Sequence, residues 1–260
     1  MGESFTRNET SLAISPNLFA AKHKRLQNLV VTQKTKLIHE EGSFLIHLKP
    51  KQSLRFKSGD LLAIYPANDH RERLYSVGKV NNKIQLSVKL HRYGLGSSFL
   101  YQLEPGQTIQ ARIDKNSHFH FPKKASLVIM ISNGTGIAPF LGMINENDKK
   151  RDVHLYCGFR SSASFELYKE LIHLNLKEQK LAELHLAYSR EGDKQYVSDL
   201  IESDQNFIAN AMNSGGVIMI CGSLAMQRDV IEVLEIILKE KNNQEVSYYQ
   251  SHNRILMDCY

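Results

Sequence analysis

Apolar residues recur along this chain in two different rhythms. From Leu26 to about Phe121 they come in short bursts, Leu29-Val30-Val31, Phe44-Leu45-Ile46-His47-Leu48 and Leu61-Leu62-Ala63-Ile64-Tyr65, set apart by Gly42-Ser43 and Ser58-Gly59-Asp60. Arg73 to Val80 and Lys83 to Leu90 flank Asn81-Asn82, a pair suited to a tight hairpin, and Thr108 to Ile113 follows Pro105-Gly106. One helical piece, at about Ser97 to Leu103, interrupts them. About six short strands at this spacing predict a small antiparallel β-barrel.

The rhythm changes at Pro122-Lys123-Lys124. Beyond it, apolar strands alternate with helical stretches: Leu127–Ile131 and a helix after Gly136, Val153–Cys157 and Phe165–Glu178, Leu184–Tyr188 and a helix from Val197, Val217–Cys221 and Met226–Lys241. A short last segment runs from Arg254 to Tyr260. Strands alternating with helices predict an α/β doubly wound parallel sheet, whose ligand crevice lies at the carboxyl ends of its strands. The expected organisation is an extension over residues 1–20, a β-barrel domain over 21–122 and an α/β domain over 123–260.

One stretch joins these patterns to chemistry. Val128-Ile129-Met130-Ile131-Ser132-Asn133-Gly134-Thr135-Gly136-Ile137-Ala138-Pro139-Phe140 reads as a buried strand, a tight glycine turn and a helix. Free backbone N–H groups and the positive helix end converge at such a turn and suit a phosphate. In the first half, side chains alternate along Arg73-Leu74-Tyr75-Ser76, so Arg73 and Tyr75 share one face and Ser76 takes the other. A cation, a flat ring and a hydroxyl together suit a flavin. Tyr93-Gly94-Leu95-Gly96-Ser97-Ser98 is a second glycine turn opening a helix, with serines expected as caps.

Composition narrows the classes without choosing among them. The 260 residues are 42% apolar and 23% charged, enough for two cores. No apolar run approaches the ~20 residues that cross a membrane, and no secretory signal is expected at the start. The three cysteines, Cys157, Cys221 and Cys259, are far apart and fit a reducing cytoplasm rather than a disulfide framework. Eleven histidines lack a His-x-x-x-His frame, His118-Phe119-His120 alternates as a strand does, and metal binding is not expected. The net charge of +6 is scattered, which disfavours nucleic acid and leaves an acidic partner open.

Taken in order, the Arg-x-Tyr-Ser strand, the Gly-x-x-Ser helix start and the Gly-Thr-Gly-Ile-Ala-Pro-Phe turn resemble the ferredoxin–NADP reductase superfamily. Within it the chain is most similar to the FAD/NADPH half of cytochrome P450 reductase and of the sulfite reductase flavoprotein. The resemblance implies that Arg73, Leu74, Tyr75 and Ser76 hold FAD and that Gly94, Leu95, Gly96 and Ser97 line its pyrophosphate. It implies an NADPH pyrophosphate at Gly134, Thr135 and Gly136 with Arg160 nearby, and the 2′-phosphate at Ser189, Arg190, Lys194 and Tyr196. An acidic residue at the strand end would have suggested NADH, yet Glu191 follows the Ser-Arg pair, so NADPH is preferred. Cys221 is expected at the nicotinamide. Asp229 matches a further contact only if one residue is deleted after Gly222.

At the C-terminus the resemblance makes Asp258 a partner of Ser76 and Cys221 along the hydride path, with Tyr260 covering the flavin. Tyrosine replaces the tryptophan of the P450 reductase branch, and Ser132-Asn133 before Gly134 is expected to narrow the pocket. The short Tyr65–Arg73 connection leaves no room for a helical connecting domain, and no FMN module is expected before it. Iron–sulfur cysteine spacings are absent. The expected function is a flavoprotein reductase taking hydride from NADPH and delivering electrons to an acidic carrier, flavodoxin or ferredoxin. The alternatives are reduction of free flavin, a quinone or a haem protein, and a catalytically inactive docking subunit.

Overall fold

The computed structural model describes residues 26–38, 42–66 and 71–260. The expected extension over 1–20 and the first residues of the expected barrel domain lie outside these, as does part of the Tyr65–Arg73 connection.

Seven antiparallel strands form the first sheet: β1 (Gln27–Lys34), β2 (Ser43–Pro50), β3 (Leu61–Ile64), β4 (Arg73–Ser76), β5 (Gly78–Val80), β6 (Lys83–Lys89) and β7 (Thr108–Asp114). Their spatial order is β4-β3-β7-β1-β2-β6-β5. The two edge strands, β4 and β5, are separated in the chain by Val77 alone, so the sheet has to curl until its edges nearly meet. The reading of Arg73 to Val80 as one run is corrected here. Val77 is wholly buried, its N–H donating to the Asp60 carbonyl and its carbonyl accepting from Gly59 N–H, and the strand is broken at that corner. Asn81 and Asn82 both take positive φ, 50° and 60°, as a twisted two-residue hairpin requires.

Helix α1 (Leu95–Gln102) begins two residues ahead of expectation, because Gly94 and not a serine occupies its N-cap. His118-Phe119-His120 is not a strand: Ser117–Phe119 form one 3₁₀ turn. Two contacts hold it. The Phe119 ring packs 5.9 Å from that of Phe140, and His120 Nε2–H donates to the buried Asp60 carboxylate at 2.7 Å. Asp60 also accepts from Lys57 N–H, Asn116 N–H and the Lys115 ammonium. These donors outweigh its burial and hold its pKa below the ordinary carboxylate value.

The second sheet is wholly parallel, with β8 (Leu127–Asn133), β9 (Asp152–Phe159), β10 (Glu183–Tyr188), β11 (Val217–Gly222) and β12 (Ile255–Cys259) in the order β10-β9-β8-β11-β12. The final segment is therefore a fifth strand beside β11. Alternate residues feed two cores. Val128, Met130, Leu155 and Met219 face α2 (Ala138–Asn145) and α3 (Ser162–Lys177), whereas Ile129, Ile131, Ile218 and Ile220 face the other layer. That layer holds α4 (Val197–Ser203), α5 (Gln205–Asn213), α6 (Leu224–Asn242) and α7 (Val246–Ser251). The helix expected from Val197 is broken at Asp204 into α4 and α5. The chain leaves central β8 outward through β9 to β10 and returns to β11, which places the switch of winding direction between β8 and β11.

The barrel and the α/β layer share one seam. A Cβ on Gly78 would lie 2.3 Å from the Ala138 carbonyl oxygen, and one on Gly142 would lie 2.3 Å from both Lys79 N and Ser58 Oγ. Backbone meets backbone there, so β5 and α2 approach as closely as glycine permits. Around the seam, Lys79 Nζ pairs with Glu146 Oε1 at 2.9 Å, and the buried hydroxyls of Ser87 and Tyr168 lie 2.7 Å apart. Leu45 and Phe119 of the first half join the core of the second. Gly142→Ala is expected to push α2 off β5 and lower unfolding stability by about 1–3 kcal/mol, as overpacking does, measured by urea denaturation. An unchanged midpoint would mean the seam is not tight.

Candidate functional site

Two clefts open beside the seam, each of about 310 Å³. The first is lined by Arg73, Leu74, Tyr75 and Ser76 of β4, by Gly94, Leu95, Gly96 and Ser97 of the turn into α1, and by Thr135, Ala138 and Tyr260. Every residue expected to hold a flavin thus meets in one place. Gly96 belongs there for a steric reason: a Cβ would lie 2.7 Å from the Tyr75 hydroxyl and 2.9 Å from Arg73 Cγ. The Ser97 hydroxyl accepts from His91 N–H and donates to the Gly94 carbonyl, both at 3.1 Å, so it closes the turn rather than capping the helix. Burial pushes the Tyr75 phenol up to about 12 against the opposing pull of the Arg73 charge, and the ring stays neutral. Leu74 and Tyr260 expose 48% and 63% of their surface, leaving apolar faces for a flat ring to cover.

The second cleft is lined by Gly134, Arg160, Ser189, Tyr196 and Asp229, all expected there, by Asn133, expected to narrow it, and by Gln195, Ser198 and Ser223, which were not expected. Thr135 faces the first cleft, at the junction of the two. Gly134 has φ +50° and open space where a Cβ would stand, whereas a Cβ on Gly136 would lie 2.3 Å from the Cys221 carbonyl. Gly134 therefore keeps the mouth of the turn clear, and Gly136 lets the turn rest on β11. Asn133 joins the two strand ends: its Oδ1 accepts from Ser223 N–H at 2.9 Å and its Nδ2 donates to Ser223 Oγ at 3.0 Å. Ser223 Oγ in turn accepts from Met226 N–H, capping α6. A Cβ on Gly222, at φ +152°, would strike Asn133 Oδ1 at 2.2 Å. Lys89 lines both clefts, a cation that local motifs do not mark.

Arg190 and Lys194 stand exposed on the loop between Ser189 and Tyr196, and Lys194 lines a shallow groove beside the second cleft. Glu191 is turned to other work. Its carboxylate accepts from Ser162 N–H at 2.6 Å and from Ser162 Oγ at 3.0 Å, at the amino end of α3. Glu191 is thereby engaged, while Arg190, Asp193 and Lys194 of the same loop are exposed.

Beside the first cleft, Ser76, which lines it, meets Asp258 and the buried Cys221, which line neither cleft. Ser76 Oγ–H donates to Asp258 Oδ2 at 3.1 Å, from the barrel to the last strand. Cys221 stands opposite Asp258 in the β11–β12 ladder and opposite Ser132 in the β11–β8 ladder. Tyr260 N–H donates to the Gly222 carbonyl at 3.0 Å, which anchors the final residue over the first cleft. Burial pushes the Cys221 thiol well above its ordinary pKa, and the neighbouring Asp258 carboxylate raises it further, so the sulfur stays protonated. Burial likewise lifts the Asp258 carboxyl above the usual range, although Ser76, Asn116 and His118 pull it down. Ser132 is wholly buried, its hydroxyl 3.1 Å from Cys157 Sγ.

The residues fit the groups the resemblance implies. Gly96 and Gly134 leave the space a side chain would fill, a half-buried aromatic ring and a cation share the first cleft, and two helix starts open onto the clefts.

Comparison with known proteins agrees with this architecture. Residues 130–232 match the family described as Oxidoreductase NAD-binding domain. NADPH–cytochrome P450 reductase of Oryctolagus cuniculus is 33% identical over 168 residues, 58% of this chain and 25% of that protein. The sulfite reductase [NADPH] flavoprotein alpha-component of Photobacterium profundum is 27% identical over 248 residues, 87% of this chain and 40% of that protein. The chain thus spans less than half the length of these relatives. The crystal structure of the H286L mutant of ferredoxin-NADP+ reductase from Plasmodium falciparum superposes with a TM-score of 0.75 at 20% identity. That match covers 92% of this chain and 97% of the other.

Asp258 carries a prediction with a sign. A carboxyl whose folded pKa is raised penalises folding above its unfolded value, and the penalty disappears as pH falls through the raised pKa. Asp258→Asn removes the penalty while keeping an acceptor for Ser76, so its melting temperature at pH 7 should be no lower than that of the parent. A lower melting temperature would contradict the assignment.

Proposed function

We propose that this chain, which shares its fold with a ferredoxin-NADP+ reductase and resembles that superfamily in its order of motifs, is an FAD-dependent NADPH oxidoreductase. Hydride passes from NADPH to FAD, and electrons leave for a separate one-electron carrier. The observation that carries this reading is the Ser76–Asp258 hydrogen bond, made across the two halves beside the first cleft, with Cys221 opposite Asp258.

Bound FAD supplies acceptance of two electrons and their release one at a time. The chain supplies binding, orientation and charge. Arg73 offers a cation and Tyr75 a flat ring on one face of β4, with the turn from Gly94 to Ser97 beside them for a pyrophosphate. Gly134, Thr135 and Arg160 gather at the opening of the other helix, where an anion finds N–H donors and a guanidinium. Ser189, Arg190, Lys194 and Tyr196 present hydroxyls and two cations to a 2′-phosphate, and Glu191 stays bound to Ser162. Ser76 holds the Asp258 carboxyl in place by donating to Oδ2, and the neutral Cys221 thiol beside it adds no charge. Tyr260 covers the flavin and has to move aside for a nicotinamide. Its exposure suits that movement.

Flavodoxin or ferredoxin is the favoured acceptor, since such carriers are acidic and the net charge of +6 speeds their encounter. A reducing cytoplasm suits three cysteines that all remain free thiols. Among the described residues no helix is long and apolar enough to cross a membrane.

Steady-state assays test both halves of this reading. Arg190→Ala with Lys194→Ala should raise KM for NADPH by about tenfold or more while leaving KM for NADH nearly unchanged, because each lost charge-assisted bond costs ~1.5–3 kcal/mol. Equal effects on the two cofactors would remove the 2′-phosphate assignment. Higher ionic strength should slow reduction of an acidic carrier and spare reduction of free flavin. The same response to salt with both acceptors would remove the steering argument.

A further inference from the structure

A cluster of histidines lies at the opposite end of the parallel sheet, away from both clefts. His154 on β9 stands opposite Glu183 on β10, and His185 stands opposite Tyr156, so the four side chains share one face at the sheet's edge. His154 Nδ1 lies 3.2 Å from Glu183 Oε2, and His185 Nε2 lies 3.5 Å from the same oxygen. One ligand atom from each of the three residues falls within 4.8 Å of the others. Neither of these two buried nitrogens makes a hydrogen bond.

The remaining nitrogens explain the arrangement. His154 Nε2 lies 3.1 Å from Asp152 Oδ1, and His185 Nδ1 lies 3.4 Å from Asp204 Oδ2. Asp204 is steadied in turn by the Tyr156 hydroxyl, which donates to it at 2.8 Å. The carboxylate beside the far nitrogen of each ring can take the ring proton, and in that tautomer the near nitrogen is a bare lone pair facing Glu183. Two lone pairs and a carboxylate then point at one spot, an unfavourable gathering unless a cation fills it. The rings have little freedom to turn away, since His185 stacks on Tyr156 at 4.0 Å and His154 packs on Phe207 at 4.4 Å.

We propose that His154, Glu183 and His185 form a binding site for one divalent transition-metal ion of the zinc class. Tetrahedral zinc with bonds of 2.0–2.1 Å sets its ligand atoms about 3.3 Å apart, close to the two histidine–Glu183 spacings of 3.2 and 3.5 Å. Two imidazoles favour zinc or cobalt over calcium or magnesium, which prefer oxygen. Water completes the fourth position. The far carboxylates of Asp152 and Asp204 raise ligand basicity and bring the local charge to that of three carboxylates beside two neutral rings. The site is structural: it clamps the edge strand β10 to β9 about 13 Å, four residues along the strand, from Ser189. The ion takes no part in hydride transfer. His-x-x-x-His spacing does not reveal it, because the ligands come from two strands brought together only by sheet register.

The test uses the full chain with its flavin, stripped with a chelator and titrated with zinc by calorimetry and by thermal melting. One equivalent should bind, and the melting temperature should rise with zinc concentration. Glu183→Gln and, separately, His185→Gln should each weaken binding at least tenfold and abolish the thermal shift. Glu183 is 59% exposed, so its variant is expected to keep the fold and the parent rate of flavin reduction. Absence of saturable one-to-one binding would overturn the proposal, as would binding that both variants leave unchanged, which would place the ion on other ligands.

Discussion

The seam between β5 and α2 is the constraint on which the rest of the molecule depends. Gly78 against the Ala138 carbonyl and Gly142 against Lys79 N bring the barrel's closing corner onto the first helix of the α/β sheet with no side chain between them. Val77, the one residue between the two edge strands, turns the chain at that corner. Ser76 precedes it and therefore cannot be far from the carboxyl ends of the parallel strands. Its hydrogen bond to Asp258 is a consequence of the seam, as is the meeting of the two clefts at Lys89. A methyl group at either glycine would move one half relative to the other by a sizeable part of a hydrogen-bond length, and positional chemistry does not survive such a shift.

Within the second half, the turn after β8 and the turn after β11 are joined by Asn133 and Ser223, and Gly136 and Gly222 allow the approach. This explains how a turn can present its backbone to an anion and still be rigid. The expected narrowing by Ser132-Asn133 takes a definite form: Ser132 is buried beside Cys157, while Asn133 lines the cleft and serves as a brace. Charge follows the same economy of position. Glu191 is held at the amino end of α3 while Arg190, Asp193 and Lys194 of the same loop are exposed, and the three cysteines stay neutral because burial raises their pKa values.

Much of this was legible in the sequence because it is local. The two apolar rhythms, the Asn81-Asn82 hairpin and the strand–turn–helix around Gly134 depend on neighbours within a few residues, and the structure follows them. What escaped depends on distant partners. Arg73 to Val80 alternates like one strand, and only sheet closure breaks it at Val77. His118-Phe119-His120 alternates too, yet Asp60 and Phe140, far off in the chain, fold it into a 3₁₀ turn. The brace at Asn133, the shared cation Lys89 and the cluster of His154, Glu183 and His185 have no local signature, since sheet register and domain docking create them.

The account stands or falls on whether nicotinamide and flavin meet at Ser76, Cys221 and Asp258. The most direct measurement is the visible absorption of the purified protein, followed without oxygen as NADPH and, separately, NADH are added. The account predicts a bound-flavin spectrum that NADPH bleaches quickly and NADH slowly. A colourless protein that gains no flavin spectrum when FAD is supplied, or a flavin that NADPH leaves oxidised, would contradict it.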